Sequence, residues 1–435
     1  MSKEDILNSF FKGNNIYISG RAGSGKSVIL KEIYKKCKET LPNDSVYITS
    51  TTGISAYNIG GRTIHSWAGV ILPSYVKDPH KFLKSCVKRI LLDFQKKKRW
   101  KNTKVLLIDE ISMLGASYLE LLNAIAKEIR NNNLPFGGIK IVASGDFLQL
   151  PPVNDVFCFE SDVWSDLKFK NFNLQTEWRF DDPTYANILK RARVGELNKV
   201  DLDLLKSRLV KNFKMDDIFP TILYPRNEDV EKINKDKLDS IPIDAVIFKS
   251  LDKVIDKETG VEVKTKIPDE ISNEFICETM VKLKVNAQVM LIANLDVSNG
   301  LTNGSRGIVK EIKAEGVLVK FINGVEVLIN SYTFEIDDND YKYTRTVIPL
   351  KLAYAISIHK SQSLTVDCIL VDVGYKIFCP GQAYVALSRC RNLNSLYISS
   401  ILQNKIYPDE TALEYEMKVL ECVNVEKVEE TEPGM

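Results

Sequence analysis

Gly20-Arg21-Ala22-Gly23-Ser24-Gly25-Lys26-Ser27 is the stretch that decides the fold of the first half of this chain. It follows the pattern G-x-x-x-x-G-K-[ST], with the flanks that pattern requires. Asn15-Ile16-Tyr17-Ile18-Ser19 before it reads as a buried strand. From Ser27 onward Ile29, Leu30, Ile33, Tyr34 and Cys37 recur at helical spacing. Glycines let the backbone turn its N–H groups toward a phosphate, and the helix N-terminus adds its positive end. Lys26 then reaches the β/γ-phosphates, and the Ser27 hydroxyl takes a place on Mg²⁺. Gly20 to Ser27 is therefore a nucleotide-binding stretch, but the loop alone does not say what the nucleotide is used for.

Working outward, Val46–Thr49, Lys104–Ile108 and Ile139–Ala143 are further apolar runs, predicted as strands. Between the last two, Tyr118, Leu121, Leu122, Ile125 and Ile129 mark an amphipathic helix. Apolar strands alternating with helices predict an α/β fold with a parallel, doubly wound sheet. Thr221–Tyr224, Cys368–Val371 and Ser395–Ile398 predict a second module of the same kind. Two inserts interrupt the alternation. Gly69 to Lys101 is polar and basic and ends in Lys96-Lys97-Lys98-Arg99-Trp100-Lys101. Val246 to Arg345 carries a hairpin signature, in which Asn323-Gly324 joins Val317–Ile322 to Val325–Ile329. The tail after Val425 is acidic and is expected to lack structure.

At 435 residues the chain is too long for one typical core. A hydrophobic share of 44% and a charged share of 27% exclude global disorder. The net charge of +2 confines any nucleic-acid site to a local surface. Eight scattered cysteines without a C-x-x-C pair, beside only three histidines, argue against a zinc site. No apolar run approaches a membrane span and nothing resembles a signal peptide, so an intracellular soluble protein without membrane association is expected.

Asp109-Glu110 closes the strand before it, placing a carboxylate pair at the carboxyl edge of the sheet, where ligand crevices form. Asp109 suits the Mg²⁺ shell, and Glu110 is placed to deprotonate an attacking water. Gly145-Asp146-Phe147-Leu148-Gln149-Leu150-Pro151-Pro152 ends the next strand. Its Gln149 is either a γ-phosphate sensor or a surface glutamine on a proline-terminated loop.

Together these stretches resemble a Pif-type DNA helicase, in the RecD-like branch of helicase superfamily one, class B. Gly20–Ser27 resembles its motif I. Thr52-Gly53-Ile54-Ser55-Ala56 with Gly60-Gly61-Arg62-Thr63-Ile64-His65-Ser66 resembles motif Ia, and Asp109–Met113 motif II. Ile129-Arg130 with Pro135-Phe136-Gly137-Gly138 is similar to the family signature, and Gly145–Pro152 to motif III. Glu177-Trp178-Arg179, Ile356–Gln362 and Ala383–Arg389 resemble motifs IV, V and VI.

The resemblance implies two RecA-like domains, 1–175 and 176–425, before an acidic tail at 426–435. It puts a wedge subdomain at 69–101 and an SH3-like β subdomain at about 246–345. It implies that Arg179 and Arg389 are arginine fingers, both from the second module. Thr52, Gly53, His65, Ser66, His359, Lys360 and Gln362 fall in motifs that line the family's single-strand groove, and Trp67 beside them is a candidate base-stacking residue. Without the motifs, the arginines read as surface ion pairs and the histidines as core residues. Lys96–Lys101 reads as a strand contact or a solvated face, and Gly304-Ser305-Arg306-Gly307 as a further contact.

The implied activity is ATP- and Mg²⁺-dependent translocation, 5′ to 3′, on single-stranded DNA. Duplex, G-quadruplex or R-loop unwinding would follow, in replication, repair, recombination or telomere maintenance. The implied partners are single strands, single/double-strand junctions, and single-strand-binding or replication proteins, the chain itself being monomeric. The implied compartment is the cytoplasm, or the nucleus or mitochondrion in a eukaryote. The alternatives are an RNA or mixed-substrate helicase and a non-motor ATP switch. Two departures stand out. No glutamine precedes the phosphate loop to read adenine, which leaves backbone groups of Gly13–Asn15 as substitutes. Ser363 stands where the family has glycine, so its Cβ is expected to crowd the backbone and slow the enzyme.

Overall fold

The apolar runs around the phosphate loop form a six-stranded, wholly parallel sheet. Its strands are β1 (Ile16–Gly20), β2 (Val46–Ser50), β3 (Arg62–Thr63), β4 (Val105–Asp109), β5 (Lys140–Gly145) and β6 (Lys170–Leu174), in the order β3-β2-β4-β5-β1-β6. This computed structural model describes residues 3–71, 76–176, 178–210, 218–296, 298–337 and 340–431. The central strands β1, β4 and β5 are buried except at Lys140, as expected of a sheet covered on both faces. Period-two alternation sends Ile16 and Ile18 into a core with Leu30, Ile33, Val46, Ile48, Leu107 and Val142. Tyr17 points the other way, against Phe147 and Trp164 at centroid separations of 5.6 and 5.3 Å.

Chain contacts divide the molecule into two units, Met1–Arg179 with Pro408–Met435, and Phe180–Tyr407. Arg179, which the resemblance put on the second module, groups with the first. The chain also returns to the first unit after Tyr407. Its last helix, Glu410–Thr431, runs on into the acidic stretch expected to lack structure.

The second unit holds a four-stranded parallel sheet, ordered Ala355–Ser357, Thr221–Tyr224, Ile369–Val373 and Leu396–Ile401. Antiparallel strands fill the insert. The largest sheet runs Glu326–Asn330, Gly316–Phe321, Arg306–Ile312, Gln288–Leu291 and Leu350–Leu352, so the β-rich texture extends past Arg345. The predicted Asn323-Gly324 turn is there, with Gly324 at φ 85° and its N–H donating to the Phe321 carbonyl at 2.9 Å.

The basic insert forms two helices, Pro79–Leu92 and Phe94–Asn102, capped by Asp78 and Asp93. Its terminal basic run is not one uniform face. Arg99 is buried and donates to the carbonyls of Ser66 and Trp67 at 2.9 and 2.8 Å, and Trp100 Nε1 donates to Ala68 at 3.0 Å. Those two side chains pin the insert, while Lys96, Lys97 and Lys98 are half-buried and Lys101 is exposed.

Candidate nucleotide site and nucleic-acid-binding residues

The phosphate loop, Asp109-Glu110 and Gly145–Pro152 follow β1, β4 and β5, which brings them together at the carboxyl edge of the sheet. Gly23 and Gly25 take φ of 80° and 91°, the left-handed region that glycine enters freely. A Cβ on Gly23 would lie 2.5 Å from Arg179 Cβ, so the position tolerates no side chain. Lys26 is buried, and its ammonium donates to the carbonyls of Gly20 at 2.6 Å and Arg21 at 3.0 Å. Arg21 and Ala22 complete the loop. The Ser24 hydroxyl is buried there without a hydrogen-bond partner, an acceptor and donor that a phosphate oxygen would satisfy.

Asp109 is the buried hub of this edge. Its carboxylate accepts from Ser27 Oγ at 2.7 Å, Ser144 Oγ at 2.5 Å, Ser55 Oγ at 3.4 Å and the Glu110 N–H at 3.0 Å. Two hard oxygen donors, Ser27 and Asp109, thus stand within hydrogen-bond distance, the donor set that Mg²⁺ takes. Glu110 sits half-buried at φ 53°, a left-handed conformation that costs a non-glycine residue roughly 1–2 kcal/mol. Strain of this kind clusters where a side chain must be aimed. Gln149 is buried rather than on the surface, and its Nε2 donates to Asp146 Oδ2 at 3.2 Å. Sequence reasoning passed over Asp146, a fully buried carboxylate whose Oδ1 also accepts the Leu148 N–H at 3.2 Å.

The Trp178 N–H donates to the Gly23 carbonyl at 3.0 Å, which lays Trp178-Arg179 directly on the phosphate loop. The Trp178 indole is 79% exposed and 3.8 Å from where a Cβ on Gly25 would stand. In the sequence this exposed aromatic carries no signal beyond its place in the Glu177-Trp178-Arg179 motif, where it stands between polar residues. Glu177 lies outside the described residues. The groups of Gly13–Asn15 that were expected to substitute as adenine readers are engaged within the fold. The N–H groups of Gly13 and Asn14 donate to Phe10 and Ser9, and Asn15 binds Leu167 and Ile141. They also lie at the opposite end of the five-residue β1, about 17 Å from the loop.

Among the proposed strand contacts in the first unit, the Thr52 hydroxyl accepts the Ser55 N–H at 3.2 Å and caps the helix that Gly53 opens. His65 is stacked on Tyr118 at 4.6 Å and its pKa is pushed down by burial, so it brings no charge at neutral pH. Ser66 donates its N–H to Thr63 Oγ1 at 3.2 Å. Trp67 is a correction. It is fully buried, its ring 4.5 Å from that of Trp100, and it has no face open to a base.

In the second unit Lys360 is exposed, His359 is half-buried with its pKa lowered by burial, and Gln362 is 1% exposed, which removes its side chain from the surface. Arg389 is also 1% exposed. It donates to the carbonyls of Val385 at 2.7 Å and Ser361 at 3.2 Å, and to Ser388 Oγ at 2.5 Å. Arg306 is a second correction. It is fully buried against Asp367 and the Phe219 carbonyl rather than presented on a turn. Burial pushes the Asp367 carboxyl up in spite of that guanidinium.

Ser363 holds φ 65°, the conformation glycine would take. The backbone path therefore persists, and the cost is local. Ser363→Gly is expected to stabilise the protein by roughly 0.5–1 kcal/mol, the relief of left-handed strain less the added freedom of the unfolded chain. Equilibrium denaturant unfolding checks it; a loss of stability would mean that the serine side chain compensates its own strain.

Residues 4–203 match the family model described as PIF1-like helicase, and residues 266–312 that of the DNA helicase Pif1 2B domain. The crystal structure of Pif1 helicase from Candida albicans is 32% identical, covers 96% of this chain and 99% of that one, and superposes with a TM-score of 0.73. This chain belongs to the Pif1-like helicase family. Bacteroides sp Pif1 in complex with ADP-AlF4 is 30% identical over 96% of each chain, with a TM-score of 0.77. The two parallel sheets are the two RecA-like domains of Pif1 helicase structures. The zebrafish ATP-dependent DNA helicase PIF1 is 38% identical over 411 residues, covering 92% of this chain and 61% of that protein. The chain thus spans about 60% of the length of such full-length relatives. Among the described residues, no helix is long and apolar enough to cross a membrane.

Proposed function

We propose that this chain is an ATP-driven DNA helicase that moves 5′ to 3′ on single-stranded DNA. The observation that carries the hydrolytic part is Asp109, buried, in contact with Ser27 of the phosphate loop and followed by the strained Glu110. Such an arrangement binds a nucleoside triphosphate and aims a base at the water that attacks it. Ser27 and Asp109 would hold Mg²⁺, whose charge offsets that developing on the transferred phosphoryl group. Lys26 binds the phosphates, Glu110 takes the proton from water, and Gln149 senses the γ-phosphate and passes that state to neighbouring structure. Arg179 and Arg389 are the proposed transition-state cations.

Family membership supports the motor reading, since its relatives are named ATP-dependent DNA helicases and one Bacteroides Pif1 structure holds single-stranded DNA. Lys360 supplies charge to the strand, with Thr52, Gly53, His65, Ser66 and His359 as neutral contacts. Trp178, exposed beside the phosphate loop, is proposed to pack on the nucleotide.

The decisive experiment compares partial duplexes bearing a 5′ or a 3′ tail. With ATP and Mg²⁺ the 5′-tailed duplex is expected to be unwound at least about tenfold faster than the 3′-tailed one, a rate ratio equivalent to roughly 1.4 kcal/mol in barrier height. Absence of unwinding while strand-stimulated ATP hydrolysis persists would overturn the helicase reading. Equal stimulation by RNA of the same sequence would overturn the DNA assignment.

A further inference from the structure

The last helix, Glu410–Thr431, belongs to the first unit and carries its buried residues at helical spacing, with Ala412, Glu416 and Val419 inward and Tyr415 beside them. Tyr415 enters an aromatic cluster under the nucleotide edge. Its ring lies parallel to Phe159 at 4.1 Å with 5° between the planes, and meets Phe147 edge-on at 5.5 Å. Its hydroxyl accepts from Trp164 Nε1 at 2.8 Å. Phe147 is fully buried and is also edge-packed by Phe157, Phe159 and Trp164. It sits between Asp146 and Leu148, so the position of its ring sets where Asp146 and Gln149 stand.

The next residue reaches a second part of the same site. Glu416 is 3% exposed, and its Oε1 accepts from Asn173 Nδ2 at 3.4 Å. The same Asn173 amide donates to Ser19 Oγ at 2.7 Å, one residue before the phosphate loop begins at Gly20. Two adjacent residues of one helix therefore brace both sequences that would handle the γ-phosphate. Tyr415 acts through Phe147 on Gln149, and Glu416 through Asn173 on the start of the loop.

We propose that Tyr415 and Glu416 are positioning residues for ATP hydrolysis, and that the C-terminal helix is an integral part of the nucleotide site. This rests on the ATPase reading above. Packing of this kind fixes the geometry of reacting groups more than it fixes binding, and small misplacements are costly in turnover. Strand-stimulated ATP hydrolysis by the full chain, with kcat and KM measured separately, tests it in Tyr415→Leu, Tyr415→Phe and Glu416→Ala. Tyr415→Leu is expected to lower kcat roughly tenfold with KM for ATP within about twofold. Tyr415→Phe keeps the stacked ring and is expected to restore kcat to within about twofold of wild type. If Tyr415→Leu fails to fold, Glu416→Ala decides, with kcat expected to fall several-fold at unchanged KM. Wild-type kcat in the folded Leu and Ala variants, or a loss matched by the unfolded fraction in thermal melts, overturns the inference. A wild-type chain without ATPase activity would instead overturn the reading it rests on.

Discussion

Lys26→Ala is expected to reduce strand-stimulated ATP turnover roughly 10²–10³-fold, the loss typical when one preorganised donor to developing charge is removed. The structure gives the lysine two tasks. Its ammonium ties Gly20 to Arg21 through their carbonyls, and it is the buried cation of the phosphate loop. Alanine ends both, leaving two carbonyls to find other donors and the phosphates without the buried lysine of the loop. Unwinding of a 5′-tailed duplex should be lost with the ATPase, while single-strand affinity in the absence of nucleotide stays within about threefold, because Lys360 and the other proposed strand contacts are untouched. The measurements are steady-state ATPase, unwinding and fluorescence anisotropy on one preparation. Undiminished ATPase in the variant would remove the loop from the mechanism.

The loop and its surroundings were largely legible in the sequence because local rules govern them. Apolar runs of strand length located β1, β2, β4 and β5 to within two residues. The Asn-Gly signature located the hairpin of the insert. β6 was not legible. Lys170-Asn171-Phe172-Asn173-Leu174 buries only Phe172, as a sheet edge permits, and so carries no apolar run. The short strand Ala355–Ser357 was hidden inside a motif read for its chemistry.

The misread side chains share one cause. Trp67, Arg306 and Gln362 are residue types that bind nucleic acid when exposed, and exposure is decided by partners far along the chain. Trp67 is closed off by Trp100, and Arg306 is bound by Asp367, 61 positions later. No local pattern announces either pair. Arg179 illustrates the converse. Its motif was recognised, but its place against Gly23 follows from one backbone hydrogen bond, Trp178 to Gly23, that sequence does not encode visibly.

Arg389→Lys is the second large effect expected, and the structure makes it a test between two roles. The guanidinium is buried and donates from three nitrogens, to Val385, Ser388 and Ser361. It therefore links the helix Gln382–Leu387 to the end of the short helix Ile358–Ser361, and a structural role alone would explain it. Lysine keeps the charge but not the planar fork, so at least one buried carbonyl loses its donor, a cost of about 1–3 kcal/mol. If the arginine also stabilises the transferred phosphoryl group, after exchanging these bonds for phosphate contacts, kcat should fall roughly 10³-fold or more while KM for ATP changes little. Structural loss acts differently, because it lowers the unfolding midpoint and reduces activity only by the unfolded fraction. Melting curves and ATPase kinetics on Arg389→Lys and Arg389→Ala separate the two. A lowered midpoint with kcat preserved at a temperature where the protein is folded would make Arg389 a brace and leave Arg179, already lying on the phosphate loop, as the cation of the reaction.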